Sequence, residues 1–451
     1  MTNIKSYLKQ NKKRILGELL EFLSIPSVSA QVKYKKDVAK TAKFVADKLK
    51  EAGGQNIKTF STSGHPIVYG EKIINKKLPT VLVYGHYDVQ PVDPINLWIN
   101  PPFKPIIKNN KIYARGSSDD KGQVFIHIKA FEYLLKEKKM HTNIKFVIEG
   151  EEEISSVNLE KFIRDHKQKL KADTTLISDT EILNENTPSI TTGLRGLAYF
   201  EVEIIGPNRD LHSGLYGGAV ANPINTLCEM IAKLKNKNKK ITIPGFYDGV
   251  KLSLKEKNEI TKIPFNLKKY KKQINITDIE GEDGFSTMER LCTRPSLDVN
   301  GVWGGYIEEG SKTVIPSKAH AKISMRLVPG QNPKIIKKNF IKYFKSLAPK
   351  SVRVNIKTFH ASAALLTPTN SQEYKAASDA YKKAFGKKPL SVRGSASIPI
   401  TNIFNEVLGA TPLLLGFGLD TDAIHSPNEH FGIDRLFKGI ETIVYFYENL
   451  N

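Results

Sequence analysis

The chain has 451 residues, more than one typical hydrophobic core needs, so we expect two domains. Its 40% hydrophobic and 25% charged content is that of a folded protein and excludes a disordered one. The formal charge of +22 raises nucleic-acid binding as a possible function. The excess lysines are scattered, however, and no aromatic-interleaved basic motif accompanies them, so we expect no nucleic-acid partner.

The first part of the chain alternates helix and strand patterns. Helical spacing of apolar residues predicts helices at IKSYLKQNKKRILGELLEF, from about Asp37 to a stop at Gly53, and at QVFIHIKAFEYLLKEKKM. Short apolar runs predict buried strands at TVLVYGHYDV and KFVIEG. This order predicts an α/β catalytic domain, with a mostly parallel sheet flanked by helices, that begins with residues 1–193.

From about Leu194 the pattern changes to alternating strands. These are AYFEVEIIGP, AHAKISMRLVPG and SVRVNIKTF, and helical patterns lie between them at NPINTLCEMIAKLKNKN and PKIIKKNFIKYFKSLA. The lysine-rich stretch after the first of these helices reads as a loop. We therefore expect an inserted α+β domain over residues 194–362, with an antiparallel sheet covered by helices on one face. The α/β pattern returns in residues 363–451.

No run of about 18 or more apolar residues could span a bilayer. The first residues mix charges through every turn and lack the apolar core of a signal peptide. We therefore expect a cytoplasmic protein without a membrane partner.

Acidic and imidazole side chains gather after the predicted strands of the α/β part. They are His86, Asp88, Asp119, Asp120, Glu151, Glu152, Glu153, Asp179 and His425. Open α/β sheets bind ligands beyond the carboxyl ends of their strands, and two histidines with several carboxylates suit zinc or manganese. A bridging carboxylate could hold two ions roughly 3.5 to 4 Å apart.

Each of these residues also has a structural interpretation that spacing leaves open. His86 and His425 could be hydrogen-bonded or loop histidines, and Asp119 or Asp120 a helix N-cap. Asp179 could be a turn residue. The glutamate triplet could form a solvated surface.

Six strings, in order, resemble a known enzyme family. They are GHYDVQPVD, YARGSSDDKGQ, IEGEEEISS, RDLHSGLYGG, TVIPSKAHAKISMRLVPG and HSPNEHF. They are similar to motifs of the dinuclear metallopeptidases that include aminoacylase, carboxypeptidase G and succinyl-diaminopimelate desuccinylase. The resemblance is greatest to the carnosine-type, or cytosolic nonspecific, dipeptidase branch, and extends from about residue 20 to 445.

The resemblance implies two divalent ions per subunit, zinc foremost and manganese as the alternative. The implied ligands are His86 and Asp179 for one ion, Glu153 and His425 for the other, and Asp119 for both. Glu152 would be the catalytic base, and Asp88 would orient His86. Asp120 is at a position that is often Met in relatives, Glu151 receives no role, and Ser155 replaces a common Gly.

The implied activity is hydrolysis of an amide bond by a water activated between the two ions. The inserted domain would act in dimerisation and as a lid, with His212 reaching the partner subunit's site to hold the oxyanion. Arg326 would grip the terminal carboxylate of a short peptide, with Thr313 and Ser397 as further substrate contacts.

Two alternatives to this dipeptidase remain. An N-acyl amino-acid deacylase or desuccinylase would use the same chemistry, and a nucleic-acid-binding or non-catalytic binding protein would belong to another class.

Overall fold

The computed structural model describes residues 2–394 and 400–450. Its α-helices are α1 (Ile4–Leu23), α2 (Lys35–Glu51), α3 (Lys121–Lys136), α4 (Leu159–Asp165), α5 (Lys167–Leu170), α6 (Ser213–Tyr216), α7 (Pro223–Ala232), α8 (Leu254–Thr261), α9 (Leu267–Gln273), α10 (Thr287–Cys292), α11 (Pro333–Ser346), α12 (Gln372–Phe385), α13 (Ile400–Ile403) and α14 (Ile433–Glu448). Its strands are β1 (Gln55–Phe60), β2 (Ile67–Lys72), β3 (Thr80–His86), β4 (Ile106–Lys108), β5 (Lys111–Tyr113), β6 (Asn143–Glu149), β7 (Thr174–Ile177), β8 (Ser189–Leu194), β9 (Gly196–Ile205), β10 (Leu211–His212), β11 (Ser296–Gly304), β12 (Val314–Ile315), β13 (Lys318–Leu327), β14 (Arg353–Ser362), β15 (Leu365–Leu366), β16 (Leu390–Arg393), β17 (Thr411–Leu414) and β18 (His430–Gly432).

The chain divides into two compact units. The first contains the residues up to Thr192, Thr367–Ser391 and the residues from Ile403 onward, and the second contains Gly193–Leu366 and Val392–Asn402. Among the described residues, no helix combines the length and the apolar character that crossing a bilayer requires.

The first unit is built on a mixed sheet with the order β1-β2-β6-β3-β7-β17-β8. Its centre is parallel, since β3 runs parallel to β6 and β7, and β17 runs parallel to β7. The remaining pairs at both edges are antiparallel. The carboxyl ends of the four central strands therefore meet at one edge of the sheet.

Helices cover both faces of this sheet. Val81 and Val83 of β3 belong to a core that includes residues of α1, α2, α3, α12 and α14. Tyr84 points to the opposite face, as alternation along a strand requires, and its ring lies 5.2 Å from that of Phe404. The predicted α/β class is confirmed, and the sheet is mixed rather than purely parallel.

The second unit contains a four-stranded antiparallel sheet in the order β11-β13-β9-β14. Its core joins β9 and β13 to α7 and α11, for example through Phe200 and Phe340 at a ring separation of 4.5 Å. Both helices begin with an Asn N-cap followed by Pro, which fixes their first turn. The predicted antiparallel, helix-covered sheet is confirmed.

The loop predicted after α7 is wrong in part. The stretch contains α8, α9 and α10, and α8 and α10 each begin with a capping box, Ser253 with Glu256 and Ser286 with Glu289. These helices have six to eight residues, too few to show a sustained apolar stripe. The predicted helix over NPINTLCEMIAKLKNKN is also shorter and ends at Ala232.

Candidate metal centre

The site forms where the central parallel strands of the first unit end. His86 is the last residue of β3, Glu151 to Glu153 follow β6, and Asp179 follows β7. Asp119 directly precedes the N-cap of α3, and His425 lies in the segment after β17. The strand ends thus gather residues from distant parts of the chain.

Two groups of side chains have ligand atoms close enough to hold a metal ion, and they share Asp119. One is His86, Asp119 and Asp179, the other is Asp119, Glu153 and His425, and within each group the ligand atoms lie within 4.8 Å of one another. The two oxygens of Asp119 point in different directions. Oδ1 lies 3.2 Å from His86 Nε2, and Oδ2 lies 2.8 Å from His425 Nε2. With its two oxygens directed to different groups, Asp119 could supply a ligand atom to each of two ions.

The imidazole of His86 is oriented by Asp88, and both side chains are fully buried. His86 Nδ1 lies 3.1 Å from the backbone oxygen of Asp88 and 3.4 Å from its Oδ1. Two acceptors at Nδ1 place the proton of the neutral ring there, which leaves Nε2 as a metal donor.

Asp88 also holds the glutamate turn in place. Its carboxylate accepts hydrogen bonds from the backbone N–H groups of Glu152 and Glu153, at 3.2 and 3.1 Å. One buried carboxylate therefore orients both a histidine and two of the glutamates.

The three glutamates of the triplet have different environments. Glu151 is 3% exposed and accepts hydrogen bonds from the backbone N–H of His65 and from Asn158, so it joins two loops. Glu152 and Glu153 are partly buried, and Glu153 belongs to the second ligand group. The solvated-surface interpretation is therefore wrong.

The pKa shifts in the cluster indicate that its buried carboxylates need positive charge nearby to remain ionised. Burial raises the pKa of Asp179, and the charges of Asp119 and Asp120 raise it further, well above its usual range. Burial opposes the ionised form of Asp119 too, but His425 and His86 outweigh burial and hold its pKa below its usual range. Hydrogen bonds to Asp119 and Glu153 raise the pKa of His425 to about 10.

The donor set fits divalent ions. His86 Nε2 and Glu153 Oε1 are buried and have no hydrogen-bond partner among the residues that the structure describes, so each is available for coordination. Two imidazoles with carboxylates are ligands that zinc and manganese both accept. A bound ion would also offset the repulsion among the carboxylates.

The N-cap interpretation of the aspartates is not supported by the geometry. Asp120 is at the N-cap of α3, but its side chain makes no capping hydrogen bond. Instead its Oδ2 accepts from the backbone N–H of His86 at 3.3 Å.

Ser155, which stands where relatives commonly have Gly, has a left-handed φ of 77°, a conformation that glycine adopts more readily than serine.

The predicted substrate residues fall in the second unit. His212 in β10 pairs with Val314, so it lies beside the exposed Thr313, and Arg326 of β13 pairs with Leu197 of β9. Ser397 lies outside the described residues.

Sequence reasoning missed two side chains that touch the ligand residues. Gln90 donates a hydrogen bond from Nε2 to Glu153 Oε2 at 2.7 Å. Glu429 accepts from the backbone N–H of Asp119 at 3.1 Å. Both lie inside strings that carry the resemblance, GHYDVQP and HSPNEHF, but a string does not show which groups its members contact.

Comparison with known proteins finds relatives over nearly the whole chain. The chain is 32% identical to the Cys-Gly metallodipeptidase dug1 of Schizosaccharomyces pombe, over 98% of this chain and 97% of that protein. The structure resembles that of the M20 family metallo-carboxypeptidase Sso-CP2 from Sulfolobus solfataricus, with a TM-score of 0.88, 33% identity and coverage of 97% and 99% of the two chains. For human carnosine dipeptidase 1 the TM-score is 0.81 at 28% identity, with 99% and 98% covered.

These similarities, together with a candidate metal centre that shares one aspartate between two groups, define the class as the metallopeptidases. Residues 82–449 match the model of peptidase family M20/M25/M40, and the chain belongs to this family.

Proposed function

We propose that the protein is a dipeptidase that hydrolyses short peptides with a free C-terminal carboxylate by means of two divalent metal ions. The observation that carries the proposal is the pair of ligand groups that share Asp119. His86 and Asp179 would hold one ion, Glu153 and His425 the other, and Asp119 both. Relatives named as Cys-Gly and Beta-Ala-His dipeptidases align over nearly the whole chain and support dipeptides as substrates.

Glu152 is the proposed general base. Bound ions would supply Lewis-acid activation of water and of the scissile carbonyl. Glu152 is in neither ligand group, and burial raises its pKa to about 7, against the opposing charge of His86. Such a carboxylate takes up a proton near neutral pH and can pass it to the departing amine. The hydrogen bond from the Glu152 N–H to Asp88 fixes the backbone that carries it.

The second unit is proposed to serve dimerisation and substrate binding. Its edge strand β11 exposes Val302 and Trp303 at 51% and 39%, which supports a protein contact on this edge. From the resemblance, we assign His212 to oxyanion binding in the partner subunit's site. Arg326, Thr313 and Ser397 are assigned to substrate binding.

A substrate panel tests the proposal. Purified protein, first stripped with a chelator and then reloaded with zinc or manganese, is assayed against Cys-Gly and β-Ala-His, matched C-terminal amides, and N-acetyl and N-succinyl amino acids. We expect metal-dependent cleavage of the dipeptides and little cleavage of the amides. The better metal is identified by the rate after reloading. Activity on the acylated amino acids alone would instead establish the deacylase.

A second candidate, a carboxypeptidase, is favoured by the TM-score of 0.88 to a metallo-carboxypeptidase. Peptides of three to six residues added to the panel separate the two, because a carboxypeptidase releases one C-terminal residue from each of them. A rate that falls steeply beyond two residues supports the dipeptidase.

A further inference from the structure

Glu429, four residues after His425, is a fully buried carboxylate that is hydrogen-bonded to the loop carrying Asp119. Both of its oxygens are used, each by two donors. Oε2 accepts from Arg115 Nη1 at 2.9 Å and the Gly116 N–H at 2.8 Å, and Oε1 accepts from the Ser118 N–H at 2.8 Å and the Asp119 N–H at 3.1 Å.

Asp422, three residues before His425, holds the same loop from the other side. This buried carboxylate forms an ion pair with Arg435, and its Oδ2 accepts from the Leu419 N–H at 2.9 Å and from Ser118 Oγ at 3.0 Å. Ser118 is therefore bonded to both carboxylates that flank His425, through its N–H and its hydroxyl. The residue next to it is the aspartate shared by the two ligand groups.

These bonds link two ligand segments that are about 300 residues apart in the chain. Glu429 adds a negative charge near Asp119, and of its four donors only Arg115 carries a positive charge to offset it. A side-chain amide or hydroxyl at this position would accept hydrogen bonds from some of the loop's donors without adding a negative charge. Only a carboxylate offers acceptors to all four donors at once.

We propose that Glu429, together with Asp422 acting through Ser118, is a positioning residue that fixes the shared aspartate relative to His425 and thereby sets the affinity of the metal centre. The inference rests on the two-metal centre of the proposed function. Glu429 contacts no substrate. It acts through the backbone of Asp119, as partners behind metal ligands commonly do.

Glu429→Gln tests this directly. Its amide nitrogen would face two donors where an oxygen now accepts, so the loop would lose two of its four bonds. We expect the affinity for zinc or manganese to fall by about 10- to 100-fold, measured by competition with a chromophoric chelator. Glu429→Asp keeps both oxygens and should restore part of the loss.

Glu132→Gln is the matched control. Glu132 accepts hydrogen bonds from Tyr7 at 2.6 Å and from Lys129 and Arg14 at 2.5 Å, but it contacts none of the proposed ligands. We expect lower stability and unchanged metal affinity. An equal loss of metal affinity in this variant would overturn the proposal, because it would trace the effect to general destabilisation.

Ser118→Ala provides a second test in case Glu429→Gln does not fold. It removes only the hydroxyl bond to Asp422, and we expect a several-fold loss of metal affinity in a folded protein, as verified by circular dichroism. Wild-type affinity in folded Ser118→Ala, or in folded Glu429→Gln, would refute the positioning role. Failure of the wild-type protein itself to bind ions would instead refute the proposed function.

Discussion

Three identical residues in a row, Glu151 to Glu153, carry different contacts. The Glu151 carboxylate accepts hydrogen bonds from His65 and Asn158, and the Glu153 carboxylate contacts His425 and Gln90. No described residue donates a hydrogen bond to the carboxylate of Glu152. The tight turn that begins at Glu152 points successive side chains in different directions. The division of roles is therefore set by the backbone and by neighbours from other elements.

Glu152→Gln should abolish turnover while retaining metal. The amide keeps the shape of the side chain but cannot accept a proton, so we expect kcat to fall by about 10²- to 10⁴-fold. Metal content, measured by elemental analysis, should match the wild type. Near-normal kcat in a metal-loaded variant would assign the base to another residue.

His127 should make the protein less stable in acid. Ser178 Oγ donates to the Leu415 carbonyl at 2.6 Å, so His127 Nε2 donates to Ser178 Oγ at 2.7 Å. The ring's Nδ1 is buried, and the described part of the chain offers it no hydrogen-bond partner. Burial lowers the pKa of His127 to about 3, well below the ordinary value of 6.5. Between these values the unfolded chain binds a proton that the native state does not. Stability is therefore lost as the pH falls from about 6.5 towards 3, by up to about 1.4 kcal/mol per pH unit.

His127→Gln tests this effect, because glutamine can donate to Ser178 but does not titrate. Urea unfolding at several pH values should show a shallower decline below pH 6.5 in the variant. The exposed His141→Gln serves as the control and should follow the wild-type profile. Equal slopes for His127→Gln and the wild type would contradict the assignment.

At the scale of elements, Lys121 fastens the end of α1 to the start of α3. Its buried Nζ donates to the carbonyls of Phe22 and Ile25 at 3.2 and 2.7 Å, and it lies over the Phe22 ring. Phe22 lies in the last turn of α1, where carbonyls lack intrahelical donors, and Ile25 follows the helix. Besides Lys121, the Phe22 carbonyl accepts from the Ile25 N–H at 3.4 Å and the Ile25 carbonyl from the Ser27 N–H at 2.9 Å.

Lys121→Met keeps the aliphatic packing but leaves both carbonyls without this donor. We expect a loss of about 2 to 4 kcal/mol in the free energy of unfolding, measured with urea. Lys9→Met on the exposed face of α1 should change it little. If Lys121→Met lost no more unfolding free energy than Lys9→Met, the hydrogen bonds of Lys121 to the two carbonyls would contribute nothing to stability.

How well sequence predicts an element depends on where the element gets its stability. Buried elements carry apolar patterns that sequence analysis recognises, as in β3, β6, α3 and α14. β1 is an exposed, irregular edge strand and shows no such pattern. The short helices α8 to α10 begin at local N-caps within a lysine-rich stretch. Because that stretch has no apolar periodicity, the sequence does not predict them.

The site shows the same limit. The candidate ligands are predicted from the resemblance to family motifs, and they belong to the few residue types that coordinate such metals. The contacts of Glu429, Asp422 and Gln90 are tertiary, and their residue types are common on any surface. Only the fold shows what they touch.

At the scale of the whole molecule, the proposed role of His212 in the partner's site can be tested by complementation. His212→Ala and Glu152→Gln should each be nearly inactive alone. In a mixed dimer, one site would combine an intact Glu152 with an intact His212 from the other subunit. Random mixing in equal amounts should then restore roughly a quarter of wild-type activity.

Co-expression with two different affinity tags allows the mixed dimer to be purified and assayed. No recovery in that species would place His212 in the same subunit as its site. A His212→Ala variant that is fully active alone would place His212 outside catalysis. A protein that is monomeric in solution would rule out the arrangement.

The proposed ligands run from residue 86 to residue 425, so more than 300 residues must be synthesised between the first of them and the last. A chain that has not reached residue 425 cannot complete both ligand groups, so the binding energy of two ions becomes available to folding only once that residue is present. A chain truncated just before residue 425 would keep the first ligand group and lose His425 from the second, so it should take up at most one ion.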